Sequence, residues 1–332
     1  MTWHAALRLL AASFGIALLA SATWTSIAIH TVSPNTGPLD LFRQNALAQK
    51  AADDQRLNLL FMAHGGAGGD NPDFTDTMLV LSIRPSTHRA TVISMPRYLL
   101  VEIPASPTGA VQGKLYSAYA LGIEADRASL QPRWTTPTGP GDLAAATVGA
   151  TIGQPIDRWV SVDIAAFQAL IDGIGGIRVN IPETLDDPNY PSDVDEQTIN
   201  IHFDAGPQTL DGKRALEYAR SRLSTSETDR SRRQEIVMFA MLQKLRTAGL
   251  TPSLLVTAGE LKDGVRTNLT LAEVQDLRHL LGTTREGDVT AITLDDSPLL
   301  EKKTLSSPGA EVLVPKSGSY DELRAFVASR LP

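Results

Sequence analysis

The stretch WVSVDIAAFQALIDGIGGIRVNI, residues 159–181, decides the class of fold. Its first four residues form an apolar run that predicts a strand, and Asp163 is placed to cap a helix that continues through Ile171. Three glycines end that helix, and residues 177–181 predict a second strand. A strand, a helix and a strand in this order indicate a crossover unit and hence an α/β architecture built in layers.

Similar patterns on both sides of this unit extend the architecture. Residues 57–63 (LNLLFMA) form a short apolar run typical of a buried strand, and the runs at 77–83 and 90–95 flank a polar segment as in a hairpin. Further helices are predicted at 113–122, 143–152, 271–281 and 320–331, further strands at 198–203, 289–294 and 311–314, and a loop at 182–196. We therefore predict a single α-β-α layered domain around a central mixed sheet.

Positive charge is gathered in TLDGKRALEYARSRLSTSETDRSRRQ, residues 209–234, although the whole chain carries a formal net charge of -7. Asp211 is placed to cap a first helix in this stretch, and the Ser-x-x-Asp pattern at 226–229 predicts the start of a second. Arg220 and Arg222 lie two residues apart, so they share a face only where the backbone is extended. We therefore place both at the exit of the first helix.

Arg230 and Gln234 lie four residues apart at the start of the second predicted helix and would point the same way. Guanidinium groups and the amides of a helix N-terminus are suited to phosphate oxygens, which makes the stretch a candidate anion site. The alternative is a solvated charged face, in which nearby glutamates and aspartates pair with these arginines. Residue spacing alone leaves both interpretations open.

The uncharged run at residues 9–29 would, as a helix, span roughly 30 Å and cross a hydrocarbon core. Arg8 and the amino terminus precede this run, so the positive-inside rule leaves residues 1–8 in the cytoplasm. A cleavable signal peptide is the alternative, because residues 20–22 (Ala-Ser-Ala) offer a small-residue cleavage site. The apolar character continues past that site through Trp24 and Ile27, which favours an uncleaved transmembrane anchor.

We accordingly expect a single-pass protein of the cell membrane, with a linker that becomes a helix at 30–56 and an extracytoplasmic domain at 57–332. The absence of cysteine is consistent with an envelope protein. An acidic, exported chain is a poor binder of nucleic acid, so that class of partner is excluded. N-terminal sequencing of the membrane fraction separates anchor from signal peptide, since cleavage would make the protein begin after Ala22.

Seven strings coincide in order and spacing with one protein family. They are LNLLFMA, TDTMLVLSI, VISMPR, GKLYSAYA, VSVDIAAFQALIDGIGGIRVNIP, AGPQTLDGKRALEYARSR and DRSRRQ, and they cover most of residues 57–234. The chain resembles the LytR-CpsA-Psr family, envelope enzymes that move glycopolymers from a polyprenyl carrier onto peptidoglycan. The resemblance implies a magnesium-dependent phosphotransferase, in which a peptidoglycan sugar hydroxyl attacks the carrier-linked phosphorus and polyprenyl phosphate leaves.

The resemblance also implies roles for individual residues. Asp76, in the Asp-Thr pair, would bind the magnesium ion. The residues that would hold the pyrophosphate are Arg97, Lys114, Arg220, Arg222 and Arg230, with Gln234 in support. An apolar tunnel for the polyprenyl chain is implied as well. Its candidate lining, for which core packing is the alternative, is Phe167, Leu170, Ile171, Val237 and Met241.

Four positions depart from the pattern usual in the family. Phe74 stands where members commonly carry an arginine, and Tyr98 where they commonly carry an aspartate. The usual Gly-x-Asp, whose aspartate is a second metal ligand, aligns with a segment that ends at Gly65. Glu227 replaces the usual aspartate three residues before Arg230, and we take it as a candidate metal ligand beside the magnesium aspartate.

These departures leave the phosphate-binding residues in place and alter the metal site. Asp70 or Asp73, in the glycine-rich loop, would have to supply the carboxylate that Gly65 lacks. Two alternatives to the transferase therefore remain. One is a non-catalytic scaffold protein of the envelope that binds polyprenyl phosphate or pyrophosphate, and the other is a pyrophosphatase that uses water as the acceptor.

Overall fold

The structure, a computed structural model, describes residues 46–65, 73–123, 127–191, 198–221, 227–248, 264–283, 288–305 and 311–331. The strands, in chain order, are β1 (Leu57–His64), β2 (Thr75–Arg84), β3 (Arg89–Ser94), β4 (Leu100–Ser106), β5 (Gly109–Lys114), β6 (Arg158–Asp163), β7 (Ile177–Ile181), β8 (Leu185–Pro191), β9 (Thr198–Phe203), β10 (Gly206–Leu210), β11 (Val265–Thr267), β12 (Val289–Thr293), β13 (Leu300–Thr304) and β14 (Glu311–Pro315). The helices are α1 (Ala46–Ala52), α2 (Ser117–Ile123), α3 (Gly139–Ile152), α4 (Ile164–Gly173), α5 (Gly212–Arg220), α6 (Glu227–Ala248), α7 (Leu271–Thr283) and α8 (Asp321–Arg330).

The anchor predicted at residues 9–29 lies outside the described residues. Within the part of the chain that the structure describes, no helix combines the length and the apolar character needed to cross a membrane.

A six-stranded mixed sheet lies at the centre, as the sequence predicts, with the strand order β11-β6-β1-β2-β3-β12. Strands β1 and β3 each pair antiparallel with β2, whereas β6 pairs parallel with β1 and β12 pairs parallel with β3. The carboxyl ends of β1, β3, β6 and β12 therefore meet at one edge of the sheet. We call this end of the strands the upper edge. It is marked by the last residues of the four strands, His64, Ser94, Asp163 and Thr293.

Helices cover both faces of the central sheet, which confirms the predicted α/β layers. On one face, Leu60 and Met62 of β1 pack in a cluster with Val148 of α3. On the other face, Leu59 of β1 packs in a second cluster with Leu47 of α1. Burial of each such aliphatic side chain contributes about 1.5–3 kcal/mol to the stability of the folded state. Burial on both faces therefore stabilises a sheet that is covered by helices on either side.

The prediction that β6, the following helix and β7 form a crossover unit within one sheet is wrong. Helix α4 follows β6 as expected, but β7 pairs antiparallel with β10 in a separate two-stranded sheet. Strand β7 alternates buried apolar side chains with exposed Arg178 and Asn180, so one of its faces is wet. A parallel strand between two helix layers needs apolar side chains on both faces. The alternation therefore places β7 outside the central sheet.

The loop predicted at 182–196 is also wrong in its first half, where β8 pairs antiparallel with β9. Asp187 and Tyr190 of β8 are buried, and the register shifts between them, around Pro188. Proline has no N–H to donate to the hydrogen bonds between strands and is tolerated at such an irregularity.

The sequence analysis also missed other strands. It did not predict the hairpin of β4 and β5, and it did not predict β10, β11 and β13.

Helix α6 is fixed to β12 by polar contacts at the upper edge. The hydroxyl of Thr293 donates to the Glu235 carboxylate (Oγ1 to Oε1, 2.9 Å), and the hydroxyl of Ser231 donates to Asp295 (Oγ to Oδ2, 2.9 Å). Burial raises the pKa of the Glu235 carboxyl, and the hydrogen bond from Thr293 offsets only part of that rise. Ionised Glu235 therefore opposes folding at neutral pH.

Replacement of Glu235 by glutamine, E235Q, is expected to stabilise the protein at pH 7.5. The folded state holds the proton more tightly than the unfolded state, so wild-type stability is lost as pH rises through the raised pKa. Glutamine keeps an oxygen that accepts from Thr293 and carries no charge. The advantage, measured as the difference in free energy of unfolding by urea, should vanish below the ordinary pKa of a glutamate. E322Q, at an exposed position on α8, is the control, and equal effects of both substitutions would contradict this account.

Candidate functional site

The upper edge of the sheet brings several chemically active residues together. Asp76 lies one residue after the start of β2, opposite the carboxyl end of β1, and Arg97 follows three residues after the carboxyl end of β3. Ligands of α/β proteins bind outside the carboxyl ends of the strands, because loops and helix ends converge there. The fold thus places two of the predicted site residues where a ligand site is expected.

Asp76 and Arg97 form an ion pair at this edge. Arg97 Nη1 donates to Asp76 Oδ1, and the side chain of Asp76 is 50% exposed while that of Arg97 is 14% exposed. Arg97 Nε is buried and has no hydrogen-bond partner among the described residues. A buried donor without a partner is costly and is typical of a functional position, because a ligand can satisfy it. The pair is therefore suited to exchange a carboxylate for a phosphate oxygen.

Lys114 lies beside this pair, although on a different element from the one predicted. It is the last residue of β5, and the predicted helix begins only at Ser117. The Lys114 Nζ lies 5.1 Å from the ring centroid of Tyr98, and the Arg97 Cζ lies 4.4 Å from the same centroid. Both distances are within the range of a cation–π contact. Two cations thus share one aromatic ring at the site.

The exit of α5 has the extended backbone that the spacing of Arg220 and Arg222 predicts. Asp211 caps the helix, accepting from the backbone N–H of Arg214 at 2.8 Å, as the sequence predicts. The helix ends at exposed Arg220, and Ser221 follows with φ -52° and ψ 135°. Arg222 lies outside the described residues.

A buried polar network holds this exit in place. The Ser221 hydroxyl donates to Asp187 Oδ2 of β8 at 2.7 Å, and both residues are at most 1% exposed. Arg233 of α6 donates from Nε to the carbonyl of Tyr218 (3.0 Å) and from Nη2 to the carbonyl of Ser221 (2.5 Å). Burial lowers the pKa of the Arg233 guanidinium, which still stays charged because an arginine pKa lies far above neutral. The network fixes the backbone of Ser221, next to Arg220.

Helix α6 carries the next pair of predicted site residues. Arg230 is 5% exposed and Gln234, one turn later, is partly buried. The contact of Glu235 with Thr293 at the end of β12, and that of Ser231 with Asp295 just after the strand, tie this part of α6 to the upper edge. Strand β12 in turn lies beside the carboxyl end of β3, which leads to Arg97. The start of α6 and Arg97 therefore belong to the same edge of the sheet.

The solvated-face interpretation holds for a different part of the arginine stretch. Glu217 accepts from Arg214 Nη1 at 2.6 Å and lies 3.9 Å from Lys213 Nζ. The exposed Arg232 lies 3.9 Å from Asp229. The exposed pair of Arg232 and Asp229 contributes only about 0.3–0.5 kcal/mol. The Glu217 carboxylate is only 5% exposed, so it pairs with its two basic neighbours at the border of the core. The stretch therefore divides into surface ion pairs, the buried structural Arg233, and the candidate phosphate ligands.

Comparison with a family model decides what kind of protein this is. The LytR_cpsA_psr family model matches residues 21–324. The chain belongs to the LytR_cpsA_psr family. The match covers most of the chain and nearly all of the described residues.

Curated relatives in this family carry transferase names. The chain is 30% identical over 252 residues to the polyisoprenyl-teichoic acid–peptidoglycan teichoic acid transferase TagU of Oceanobacillus iheyensis, covering 74% of this chain and 69% of the relative. It is 28% identical over 226 residues to the TagV enzyme of Bacillus subtilis, which bears the same transferase name, covering 67% of this chain and 52% of the relative. The chain thus spans between about half and about two thirds of the length of these relatives.

Solved structures of the family share the fold. The crystal structure of Bacillus subtilis TagV superposes with a TM-score of 0.62 at 22% identity, covering 84% of this chain and 98% of that chain. A structure of TagT bound to LIIa-WTA gives a TM-score of 0.60 at 20% identity, covering 85% and 92%.

Among the residues that the structure describes, the predicted metal-site carboxylates are Asp76 and Asp73, of which Asp76 is exposed and Asp73 partly buried. Among those residues no cluster of three histidine, aspartate or glutamate side chains could hold a metal ion. Asp70 and the side chain of Glu227 lie outside them. Mg²⁺ commonly binds through one or two carboxylates, several waters and the phosphates of the substrate. The donor set therefore fits a magnesium ion that the substrate helps to hold.

The residues predicted to line the family's tunnel do come together. Ile171 and Val237 are buried, and Phe167, Leu170 and Met241 are partly buried against the same cluster, which joins α4 and α6. Ile171 and Val237 are core residues. The partial exposure of Phe167, Leu170 and Met241 is compatible both with core packing and with contact with an apolar chain.

The substitution S221A should lower the free energy of unfolding by about 1–3 kcal/mol, because it removes a hydrogen bond to a buried carboxylate. The control is S329A on α8, whose exposed hydroxyl donates to the carbonyl of Phe326 at 2.7 Å. That substitution should change stability by no more than about 0.5 kcal/mol. Urea unfolding of the two variants checks the expectation, and equal losses would mean that the network does not hold the exit of α5.

Proposed function

We propose that this protein transfers a glycopolymer from a polyprenyl-pyrophosphate carrier to peptidoglycan by metal-assisted phosphotransfer. The observation that carries the proposal is the partly exposed Asp76–Arg97 pair at the upper edge, with Lys114 beside it. Arginine and lysine side chains there can neutralise a pyrophosphate, and phosphoryl transfer depends mainly on positioning and charge stabilisation. The names of the relatives, which describe transfer of teichoic acid to peptidoglycan, support the same reaction.

In this proposal the cations of the site hold the two phosphates. Arg97 exchanges its contact with Asp76 for a phosphate oxygen, and its buried Nε gains a partner. Lys114 adds a second charge from β5. The remaining phosphate ligands are Arg220 and Arg222 at the exit of α5, Arg230 on α6, and Gln234 in support. Bonds between charged donors and phosphate oxygens are about twice as strong as neutral hydrogen bonds, so few are needed.

The transfer forms one P–O bond and breaks another. A hydroxyl oxygen of a peptidoglycan sugar bonds to the polymer-bearing phosphorus, the bond from that phosphorus to the bridging oxygen breaks, and the proton of the hydroxyl is released to water. Polyprenyl phosphate leaves with the negative charge, which the cations at the site stabilise. Asp76 would hold Mg²⁺, which supplies further charge neutralisation when it is bound.

The proposal extends to the setting of the reaction. Residues 9–29 would anchor the chain in the cell membrane and leave residues 57–332 outside. The polyprenyl chain of the carrier would then reach the site from the membrane, and the apolar cluster of α4 and α6 would receive it. Peptidoglycan lies on the same side of the membrane, so donor and acceptor meet at this domain.

The substitution R220A should weaken binding of polyprenyl pyrophosphate. Loss of a charge-assisted bond costs about 1.5–3 kcal/mol, which corresponds to roughly tenfold or more in affinity. R232A is the matched control, because Arg232 is an exposed arginine of the same stretch that lies near Asp229. Isothermal titration with the purified protein measures both. Equal affinities of R220A and wild type would return Arg220 to the solvated-face interpretation.

The substitution D76A should reduce magnesium-dependent release of polyprenyl phosphate about a hundredfold or more, since metal-assisted charge stabilisation supplies several kcal/mol. Affinity for the donor without metal should not fall, because a negative charge leaves a site that binds an anion. D76N separates the two effects, since its amide oxygen still accepts from Arg97 while the charge is gone. Release is measured from a labelled donor, with and without EDTA and with and without peptidoglycan.

The same assay includes G65D, which restores the carboxylate usual in the family. A Cβ on Gly65 meets no described heavy atom within 4 Å, so the described residues leave space for the start of a side chain there. G65D should lower the magnesium concentration needed for half-maximal release. Donor binding without metal-dependent release by wild type would favour the scaffold alternative, and release without an acceptor would favour the pyrophosphatase.

A further inference from the structure

Three aromatic side chains form a cluster beside the cations of the site. The ring centroids of Phe74 and Tyr116 lie 4.7 Å apart at an interplanar angle of 43°, and those of Tyr98 and Tyr116 lie 5.9 Å apart at 87°. All three side chains are partly buried, so each keeps some surface for a ligand. We call Phe74, Tyr98 and Tyr116 the aromatic cluster. Two of its members, Phe74 and Tyr98, stand at positions where the family commonly carries charged residues.

The middle ring of the cluster is held by the backbone of the site itself. The N–H of Tyr116 donates to the carbonyl of Arg97 at 3.1 Å. The carbonyl of Tyr116 accepts from the backbone N–H of Thr75 and from its hydroxyl, each at 3.1 Å. Thr75 is fully buried and precedes Asp76. The backbone of Tyr116 is therefore fixed between Arg97 and the residue that precedes Asp76, which places its ring beside the ion pair.

The cations at the edge of the cluster determine what kind of ligand it suits. The Lys114 Nζ lies 5.1 Å from the ring of Tyr98 and 5.9 Å from the ring of Tyr116, and Arg97 contacts Tyr98 as well. A hydrocarbon chain placed here would remove water from two charges without offering them a partner, which is costly. A sugar ring offers hydroxyl oxygens to the cations and a face of C–H groups to the aromatic rings.

We propose that the aromatic cluster binds the sugar ring that the donor carries next to its pyrophosphate. The inference rests on the proposed function, since it takes Arg97 and Lys114 as phosphate ligands. A sugar ring bonded directly to the pyrophosphate would lie next to those two cations, and the aromatic cluster lies beside them. Aromatic side chains supply a large, rigid contact area at low cost in side-chain entropy, which suits the flat face of a pyranose. The aromatic cluster thus makes the site selective for a glycosylated donor over the bare carrier.

The experiment compares two ligands that differ in the sugar and in the one ionisable oxygen of the terminal phosphate that the sugar replaces. One is farnesyl pyrophosphate, and the other is the same lipid pyrophosphate with one N-acetylglucosamine on its terminal phosphate. Binding is measured by isothermal titration without metal, with the full-length protein in detergent. Y116L should weaken binding of the glycosylated ligand about fivefold, as expected for the loss of one aromatic contact, and should leave farnesyl pyrophosphate unchanged.

Two further variants separate ring contact from other effects. Y98F keeps the ring and removes the hydroxyl that accepts from Arg97, so the preference for the glycosylated ligand should persist. F74L, at the outer end of the cluster, should show the same selective loss as Y116L and replaces it if Y116L does not fold. F326L, an aromatic substitution on α8 that lies apart from the aromatic cluster, should affect neither ligand.

Each other outcome overturns a defined statement. Equal weakening of both ligands by Y116L and F74L would mean that the rings act only by positioning Arg97, and the sugar site would be wrong. Unchanged binding of both ligands would also overturn the sugar site, while the phosphate site would stand. If the wild-type protein bound neither ligand, the proposed function itself would fail, and the sugar site would fail with it.

Discussion

The direction of the central strands is the constraint on which the site depends. Strand β2 pairs antiparallel with β1 and with β3, so Asp76 at the start of β2 lies at the same edge as the end of β3, which Arg97 follows. Strand β12 pairs parallel with β3, and the hydrogen bond between Thr293 at its end and Glu235 brings the first part of α6 to that edge. The site is thus a consequence of strand direction before any side chain is considered.

The local charge at the upper edge is opposite in sign to the net charge of the chain. The chain has a formal net charge of -7, yet Arg97, in the loop after β3, and Lys114, at the end of β5, lie beside the same tyrosine ring at the upper edge. The carboxylates of Glu217 and Asp229 pair with other basic residues of the arginine stretch. Two cations placed together make the potential locally positive on a molecule that is acidic overall.

Local features of the site could be predicted from the sequence, and features that join distant segments could not. The caps at Asp163 and Asp211 follow from three-residue patterns, and the structure shows both. The hydrogen bond between Asp187 and Ser221 joins positions 34 residues apart, and Asp187 lies in a segment that contains Pro188 and resembles a loop. The composition of a segment gives no indication of such a partner. Strand β7 is an intermediate case. The alternation of apolar and polar residues in β7 is visible in the sequence, and it excludes a strand covered by helices on both faces. It does not indicate which strand β7 pairs with.

The buried network around Ser221 has a consequence for how a ligand would bind. Arginines on a mobile loop must be ordered when a ligand arrives, and that ordering reduces the affinity the contacts would otherwise give. Here Asp187 and Arg233 hold the backbone of Ser221 before any ligand is present. The entropy of the turn beside Arg220 is therefore lost during folding and does not enter the binding equilibrium. An anion bound beside Arg220 would thus meet a backbone that is already ordered at Ser221.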